Sequence, residues 1–256
     1  MVPDLHCILK NIIKQKKEEV ESIKLQSDSK KRSIRKLKDF IYQRTGIIAE
    51  IKPASPSKGR LRTILDPVKI AIEYDRANAS AISVLTETEY FKGKKEWIKK
   101  IRDKIKIPIL RKDFIIDEIQ VDETYELGAD TLLVIVRILD DDTIKKITKR
   151  CKKFGMDILY EVHNKLEIKR ILGLKPEIIG VNCRNLKDFT LDKRLFEKLI
   201  DFIPDNVLAI AESGINSIEE ASKIKKIGYD GLLIGEVLMK SKNPAKFFRM
   251  FSEEYS

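Results

Sequence analysis

The sequence predicts a (β/α)8 barrel, the TIM-barrel fold class, preceded by a helical extension at the amino terminus. Eight short runs rich in Val, Ile and Leu recur along the chain, without the alternation of apolar and polar residues that a half-exposed strand shows. Amphipathic helical segments separate these runs. The chain length of 256 residues is also typical of one barrel of this class.

The eight apolar runs are predicted to be parallel strands whose two faces are both covered. Branched aliphatic residues suit that environment, because side chains fill the barrel on one face and helices cover the other. The predicted strands are 46–52, 81–87, 107–112, 131–136, 157–162, 178–183, 208–213 and 231–236.

The intervening segments predict helices, several of which begin with Asp or Ser, residues that accept hydrogen bonds from the first turn. Gly128, Gly155 and Gly228 follow three of them, where a left-handed residue commonly ends a helix. Two more helical patterns, 4–24 and 31–44, precede the first strand. We expect a single domain, 1–256, in which an extension (1–45) packs on the barrel (46–256). The main predicted helices are 66–78, 94–104, 117–127, 140–154 and 217–227.

Charge and composition narrow the class of protein. The formal net charge of +11 would suit nucleic acid, but the lysines lie mostly on helical segments such as 145–150 and 223–226, where a solvated helix face accounts for them. We therefore expect no nucleic-acid partner. No apolar stretch is long enough to predict a membrane span, and the first 20 residues do not match a signal peptide. A soluble, cytoplasmic protein is expected.

Cysteine and histidine are too few to predict a metal site. Cys7, Cys151 and Cys183 contain no C-x-x-C pair, which argues against a disulfide framework or a zinc site. The two histidines are His6 and His163. His163 follows Glu161 by two residues and shares its strand face, and we interpret it as structural.

Polar residues stand at the carboxyl end of nearly every predicted strand, where barrels of this class place their active sites. Glu50 and Lys52 share one strand face, and the opposing interpretation is that such charges only mark where a strand leaves the core. Ionised groups at a dry rim must nevertheless be paired or functional, so eight such ends together favour a shared cleft. The other residues of this kind are Glu87, Lys112, Glu161, Asn182, Arg184, Glu212, Ser213 and Glu236.

The motifs at these strand ends resemble those of indole-3-glycerol phosphate synthases, over essentially the whole chain. They occur in the order of that family: EIKPASPSKG at 50–59, ISVLTE at 82–87, LRKDFIID at 110–117, LGAD at 127–130, YEVH at 160–163, IGVNCRNLKDF at 179–189, AESGI at 211–215 and LIGEVLM at 233–239. Cys183, Tyr160 and Glu236 depart from residues that are common in the family. The resemblance implies acid/base catalysis on a small phosphorylated substrate, without a cofactor or metal.

The resemblance also implies roles for individual residues. Lys112, Glu161 and Glu50 would be catalytic, with Lys112 as the principal acid. Phosphate would bind at Ser213, Gly214, Gly235 and Glu236, through backbone N–H groups that glycine leaves accessible. Substrate would be held by Lys52, Ser55, Phe91, Phe114, Leu133, Ile135, Asn182, Arg184 and Glu212.

Two alternatives remain open at this point. Another phosphate-binding barrel enzyme, such as a sugar-phosphate isomerase or epimerase, would need an acid/base pair or a metal cluster, and it has no use for Lys52 together with Lys112. A non-catalytic, basic nucleic-acid-binding barrel would show salt-dependent retention on DNA or RNA. The sequence favours a monomer over a weak dimer.

Overall fold

The structure, a computed structural model, describes residues 6–25 and 31–255. Its eight strands form a closed barrel in which every strand runs parallel to its two neighbours in chain order, and the eighth pairs with the first. This confirms the predicted fold class. The strands are β1 (Ile47–Ile51), β2 (Ala81–Leu85), β3 (Ile109–Lys112), β4 (Thr131–Ile135), β5 (Asp157–Val162), β6 (Ile178–Asn182), β7 (Leu208–Glu212) and β8 (Gly231–Ile234).

Helices cover the outside of the ring, and two precede it. None of the helices within the described residues is long and apolar enough to cross a membrane. The helices are α1 (Cys7–Ser22), α2 (Leu37–Gln43), α3 (Pro67–Arg76), α4 (Glu96–Arg102), α5 (Ile119–Leu127), α6 (Asp141–Phe154), α7 (Lys165–Leu172), α8 (Arg194–Leu199), α9 (Ile218–Ile227), α10 (Glu236–Lys240) and α11 (Pro244–Tyr255).

Several strands end earlier than the sequence predicts, and the reason is local. Ser213 has a φ of 71°, in the left-handed region where a strand cannot continue, so β7 stops at Glu212. Glu236 begins α10, so it does not extend β8. Glu87 lies beyond β2, and its carboxylate accepts hydrogen bonds from the backbone N–H groups of residues 89–91. Glu87 therefore shapes a turn and does not line the cleft.

Side-chain alternation along each strand divides the core into two layers. In β1, Ile47, Ala49 and Ile51 pack outward against the helices, whereas Ile48 packs inside the barrel. Glu50 has the same parity as Ile48 and so points inward, at the carboxyl end of the strand. The same parity directs Glu161 and Glu212 inward. Charged side chains thus form the top layer of an otherwise apolar interior.

The amino-terminal extension contacts both ends of the barrel. Near the carboxyl ends of the strands, Lys16 of α1 forms an ion pair with Asp113, at 3.0 Å. At the opposite end, the backbone N–H of Leu37 donates to Asp157 at the start of β5, at 2.8 Å. The predicted beginning of the first helix at residue 4 lies outside the described residues, and the described helix begins at Cys7.

The second helix is shorter than the predicted segment 31–44, because its first residues bond to the barrel instead of to one another. Backbone N–H groups of Arg32 and Arg35 donate to the Tyr125 hydroxyl and to Asp130. Asp130 is fully buried before β4. It also accepts from the Ile109 N–H at 3.0 Å and from the guanidinium groups of Arg32 and Arg102. One carboxylate therefore ties the extension to β3 and β4.

We expect Asp130→Ala to lower the free energy of unfolding by about 3 kcal/mol or more, because it leaves two guanidinium groups without their buried partner. Urea unfolding followed by circular dichroism measures this. The control is Asp142→Ala, which removes an exposed carboxylate paired with Lys145 and should cost less than about 1 kcal/mol. Equal stability losses in the two variants would contradict the role of Asp130.

Candidate active site

A cavity opens at the carboxyl ends of the strands, and the residues predicted from the strand-end motifs surround it. It is lined by residues from the ends of seven strands or the loops that follow them, by Phe91 of the loop after β2, and by Leu9 of α1. The lining residues are Leu9, Glu50, Lys52, Ser55, Pro56, Ser57, Lys58, Phe91, Lys112, Phe114, Ile135, Glu161, Asn182, Arg184, Leu186, Phe189, Leu191, Glu212, Ser213, Gly214, Ile215, Asn216, Leu233, Gly235 and Glu236.

Leu133 is the predicted site residue that the structure does not place in this cavity. It is almost fully buried in the inner layer of the barrel. Ile135, two residues further along β4 on the same face, reaches the cavity wall instead. A strand rises about 3.3 Å per residue, so Leu133 lies a layer deeper. The prediction that it contacts a ligand is therefore not supported by its position.

Lys112 occupies the centre of the charged layer, between two glutamates on the far side of the barrel. Its Nζ lies 3.4 Å from Glu161 Oε2 and 3.5 Å from Glu212 Oε2. We call Glu161 and Glu212 the carboxylate pair. Both side chains are buried, at no more than 2% exposed. Two buried carboxylates sharing one ammonium cannot both ionise without a cost in free energy.

The electrostatic environment gives the two members of the carboxylate pair different pKa values. Burial would raise the pKa of Glu161, but Lys112, His163 and Asn182 outweigh it and lower that pKa to about 2. Burial, with repulsion from Glu161 and Glu50, raises the pKa of Glu212 to about 8 against the attraction of Lys112. Burial opposes the charge of Lys112, yet the three glutamates raise its pKa above the ordinary value. The environment therefore favours the ionised form of Glu161 and the protonated form of Glu212.

Glu50 and Lys52 form an ion pair on the inner face of β1. Their Oε2 and Nζ atoms are 3.3 Å apart, with Glu50 buried and Lys52 about one-fifth exposed to the cavity. Lys52 Nζ also lies 5.6 Å from the centre of the Phe91 ring, within the range of a cation–π contact. The lysine therefore has one charged partner below it and an open cavity beside it.

Two glycines leave room for the carboxylates. A Cβ atom at Gly235 would lie 2.5 Å from Glu50 Oε2, and one at Gly180 would lie 2.1 Å from Glu212 Oε1. Neither glycine has a positive φ, so close approach and not backbone conformation requires them. At Gly235 the group that approaches is the Glu50 side chain. A larger residue there would displace a charged group of the cavity as well as any bound phosphate.

An apolar wall faces the charged layer. The rings of Phe91 and Phe114 are tilted at 44° with centres 6.1 Å apart, and they belong to the loops after β2 and β3. Leu9 of α1 and Leu186 pack in the same cluster. Sequence reasoning placed α1 on the barrel but missed Leu9 as a cavity residue, because its amphipathic pattern does not show which part of the barrel the helix covers.

The loop after β1 folds over one side of the cavity. A small hairpin, Ala54–Ser55 with Gly59–Arg60, brings Ser55 to the wall, and the Ala54 N–H donates to the Phe91 carbonyl at 3.2 Å. Ser57 Oγ accepts a hydrogen bond from Arg184 Nη1 at 3.3 Å. The Asn182 side chain accepts from the Arg184 backbone N–H at 2.9 Å, which fixes the turn after β6.

The opposite end of the cavity is formed by the turns after β7 and β8. Ser213 and Gly214 both have a φ near 70°, so the chain turns sharply there. Gly235 and Glu236 begin α10. The Glu236 carboxylate forms an ion pair with Lys240 at 2.6 Å, one helical turn further on. Its charge is therefore partly compensated from outside the cavity, which keeps the cavity wall suitable for an anion.

Within residues 6–25 and 31–255, no group of three His, Cys, Asp or Glu side chains is arranged to hold a metal ion.

Comparison with solved structures identifies the fold. A crystal structure of KGPDC from Streptococcus mutans has a TM-score of 0.64 at 14% identity and covers 83% of this chain and 97% of its own. The structure of 3-hexulose-6-phosphate synthase from Salmonella typhimurium has a TM-score of 0.64 at 15% identity, covering 81% and 97%. Identity this low supports the barrel fold alone.

Comparison with sequences identifies the family. The indole-3-glycerol phosphate synthase of Bacillus velezensis is 38% identical over 250 residues, or 96% of this chain and all of that protein. The enzyme of Nautilia profundicola is 41% identical, covering 93% and 96%, and that of Campylobacter jejuni 44% identical, covering 78% of each chain. The family model described as indole-3-glycerol phosphate synthase matches residues 9–251, and the chain belongs to this family.

Proposed function

We propose that the cavity converts 1-(2-carboxyphenylamino)-1-deoxyribulose 5-phosphate into indole-3-glycerol phosphate, with loss of carbon dioxide and water, using Lys112 and the surrounding glutamates as acid and base. As a member of its family the chain is a carboxy-lyase of tryptophan biosynthesis. The observation that carries the residue assignment is the position of Lys112, 3.4 and 3.5 Å from Glu161 and Glu212, whose surroundings shift their pKa values in opposite directions. That arrangement supplies a proton donor and an acceptor within one cavity.

In the first step the aromatic carbon that bears the carboxylate attacks the ketone carbon and closes the five-membered ring. The ketone oxygen gains negative charge and takes a proton from the Lys112 ammonium. The carbon–carboxylate bond then breaks, carbon dioxide leaves, and its electron pair restores the aromatic ring. A donor and a nucleophile held in one cavity lower the barrier by removing the entropy cost of their encounter.

In the second step the new hydroxyl leaves as water and the indole double bond forms. The hydroxyl must be protonated, and a base must take a proton from the ring methylene carbon between the nitrogen and the hydroxyl-bearing carbon, so that the nitrogen keeps its N–H in the product. Ionised Glu161 is suited to accept a proton, while protonated Glu212 and Lys112 are donors. Glu50 pairs with Lys52 and, together with Glu161 and Glu212, raises the pKa of Lys112. No metal or cofactor enters this sequence of bond changes.

The walls of the cavity support one orientation of the substrate. The aromatic ring fits between Phe91, Phe114 and Ile135, and its carboxylate reaches Lys52, whose Nζ lies 5.6 Å from the centre of the Phe91 ring. Asn182 and Arg184 lie between that wall and the phosphate end, where they can bind the sugar hydroxyls. The phosphate then lies at the turns of Ser213–Gly214 and Gly235–Glu236, with Ser55 on the flank and Arg184 nearby.

Three further properties belong to the proposal. The protein acts as a monomer in the cytoplasm, and it binds neither nucleic acid nor membranes. The support is that one chain forms the whole cavity, that the positive charges lie mostly on helix faces, and that the family acts on a small phosphorylated metabolite.

We expect Lys112→Ala to reduce turnover by about a hundredfold to ten-thousandfold, because a missing general acid costs that much, and to leave the fold intact. The measurement is the fluorescence of indole-3-glycerol phosphate appearing from the carboxyphenylamino substrate. Lys145→Ala, at an exposed lysine of α6, is the control and should keep wild-type rates.

Near-normal turnover by a folded Lys112→Ala variant would remove Lys112 from the mechanism. Absence of turnover by the wild-type protein, with the substrate bound, would contradict the proposed reaction itself.

We expect Lys52→Met to weaken binding of a reduced, carboxylate-bearing substrate analogue by about tenfold or more, and to weaken binding of the product much less. The product lacks the carboxylate that Lys52 would contact, and a charge-assisted hydrogen bond contributes about 1.5–3 kcal/mol. Titration calorimetry gives both affinities, with Lys100→Met on the outer surface as a control. Equal losses for analogue and product would instead indicate that Lys52 serves only as the ion-pair partner of Glu50.

A further inference from the structure

His163 lies on the side of Glu161 that faces away from Lys112, and both of its ring nitrogens face carboxylates. Nε2 is 3.3 Å from Glu161 Oε1, and Nδ1 is 3.3 Å from Glu167 Oε2. The imidazole is 4% exposed. The sequence suggested a structural histidine. The structure instead places it in direct contact with a residue of the cavity.

The local chain fold holds this histidine in place. Asn164 and Glu167 form a capping box at the start of α7, in which Asn164 Oδ1 accepts from the Glu167 N–H at 2.9 Å. Glu167 Oε2 in turn accepts from the His163 N–H at 2.7 Å, and Arg137 Nε donates to Oε1 at 2.8 Å. Reciprocal capping of this kind fixes the entry into a helix. Glu167 is therefore oriented by two other groups before it meets the imidazole.

Lys112 lies almost equally far from both members of the carboxylate pair, although its Nζ has hydrogen-bond geometry toward Glu161 Oε2, so distance alone does not separate the two carboxyls. The surroundings of the two carboxyls also differ on the side that faces away from Lys112. Glu161 has His163 there, with Nε2 at an ion-pair distance of 3.3 Å that lacks hydrogen-bond geometry, whereas both oxygens of Glu212 lack a hydrogen-bond partner among the described residues. A cation on one side of a symmetric pair favours ionisation of the nearer carboxyl.

We propose that His163 is a positioning residue for the reaction: it makes Glu161 the ionised member of the carboxylate pair and leaves the shared proton on Glu212. The catalytic meaning of this arrangement rests on the proposed function, in which Glu161 accepts a proton and Glu212 donates one. The placement of the charge rests on the contacts of His163 with Glu161 and Glu167.

The groups around His163 favour its charged form. Glu161 faces it from β5 and Glu167 from α7, while Glu212 acts from β7. The cations Lys112 and Arg137 lie behind Glu161 and Glu167. Burial opposes the charge, yet the two contacting carboxylates raise the pKa of His163 above its ordinary value. The result is a row of alternating charges from Lys112 through Glu161, His163 and Glu167 to Arg137, in which each interior member has an opposite charge on both sides.

The test is NMR titration of the protein labelled with ¹³C at the glutamate carboxyl carbons. The resonances of the carboxylate pair are assigned from Glu161→Gln and Glu212→Gln. In the wild type at pH 6.5, Glu161 should show the shift of a carboxylate and Glu212 that of a carboxylic acid. The reverse pattern, or two ionised carboxyls, would overturn the proposal before any histidine variant is made.

His163→Gln then tests whether His163 causes the ionisation of Glu161, since glutamine keeps a hydrogen-bond donor but removes the charge. The titration midpoint of Glu161 should rise by roughly one to three pH units, the shift expected when a neighbouring cation is lost. His6→Gln, which replaces the other histidine of the chain, should leave it unchanged. An unchanged Glu161 midpoint in folded His163→Gln would overturn the proposal. If that variant does not fold, Glu167→Gln should give a smaller rise, and no rise would overturn the proposal as well.

Kinetics separate this proposal from the proposed function. In a protein that turns over the substrate, His163→Gln should lower kcat increasingly as the pH falls from about 6 to 4, where the raised Glu161 midpoint comes into range, with a smaller effect on KM. A purely structural histidine would lower the melting temperature without moving this pH profile. If the wild type does not turn over the substrate, the proposed function fails, and the NMR titration still decides the role of His163.

Discussion

In the half of the barrel that holds the candidate site, the ammonium of Lys112 lies among three glutamates. The arrangement of the other charged groups in this half depends on that contact. Lys112 has the carboxylate pair within about 3.5 Å, and Glu50 acts on it from β1. Three anions and one cation would not be stable in an apolar interior. The site meets this constraint by adding cations, Lys52 beside Glu50 and His163 beside Glu161, and by leaving a proton on Glu212. The unequal carboxyls that result are what acid/base chemistry needs.

The surrounding backbone provides the space for these groups. Gly180 lies on the strand beside that of Glu212, and Gly235 follows the strand beside that of Glu50; a methyl group at either position would collide with a carboxylate. The apolar layer beneath the charges excludes water and strengthens each electrostatic contact. At the opposite end of the barrel, Asp130 joins the amino-terminal extension to two strands, so the stability of the fold and the chemistry of the site rest on separate charged clusters.

The sequence predicted the barrel because buried parallel strands require uninterrupted aliphatic runs, and it predicted most of the cavity because strand ends converge. It could not show how deep in the barrel each inward-facing side chain lies. Leu133 was therefore expected in the site, although of these two residues only Ile135 reaches it. It did not show that the Glu87 carboxylate accepts hydrogen bonds from the backbone of residues 89–91, which is a local turn. It could not show that residues 31–36 extend along the barrel, because their partners are distant in sequence. His163 was visible as a neighbour of Glu161, but its second partner, Glu167, belongs to a helix whose entry angle no periodicity reveals.

The most direct test of this account is the pH dependence of stability in Glu212→Gln and Glu161→Gln. The pKa of Glu212 is raised to about 8, so the wild type should lose stability as the pH rises from about 4.5 to 8 while the folded state resists deprotonation. Glu212→Gln has no such loss, and its melting temperature relative to the wild type should rise across that window. Glu161, whose pKa is lowered, contributes stability above pH 4.5, so Glu161→Gln should melt lower than the wild type at neutral pH. The opposite assignment, with Glu161→Gln gaining stability as the pH rises and Glu212→Gln losing it, would contradict the account.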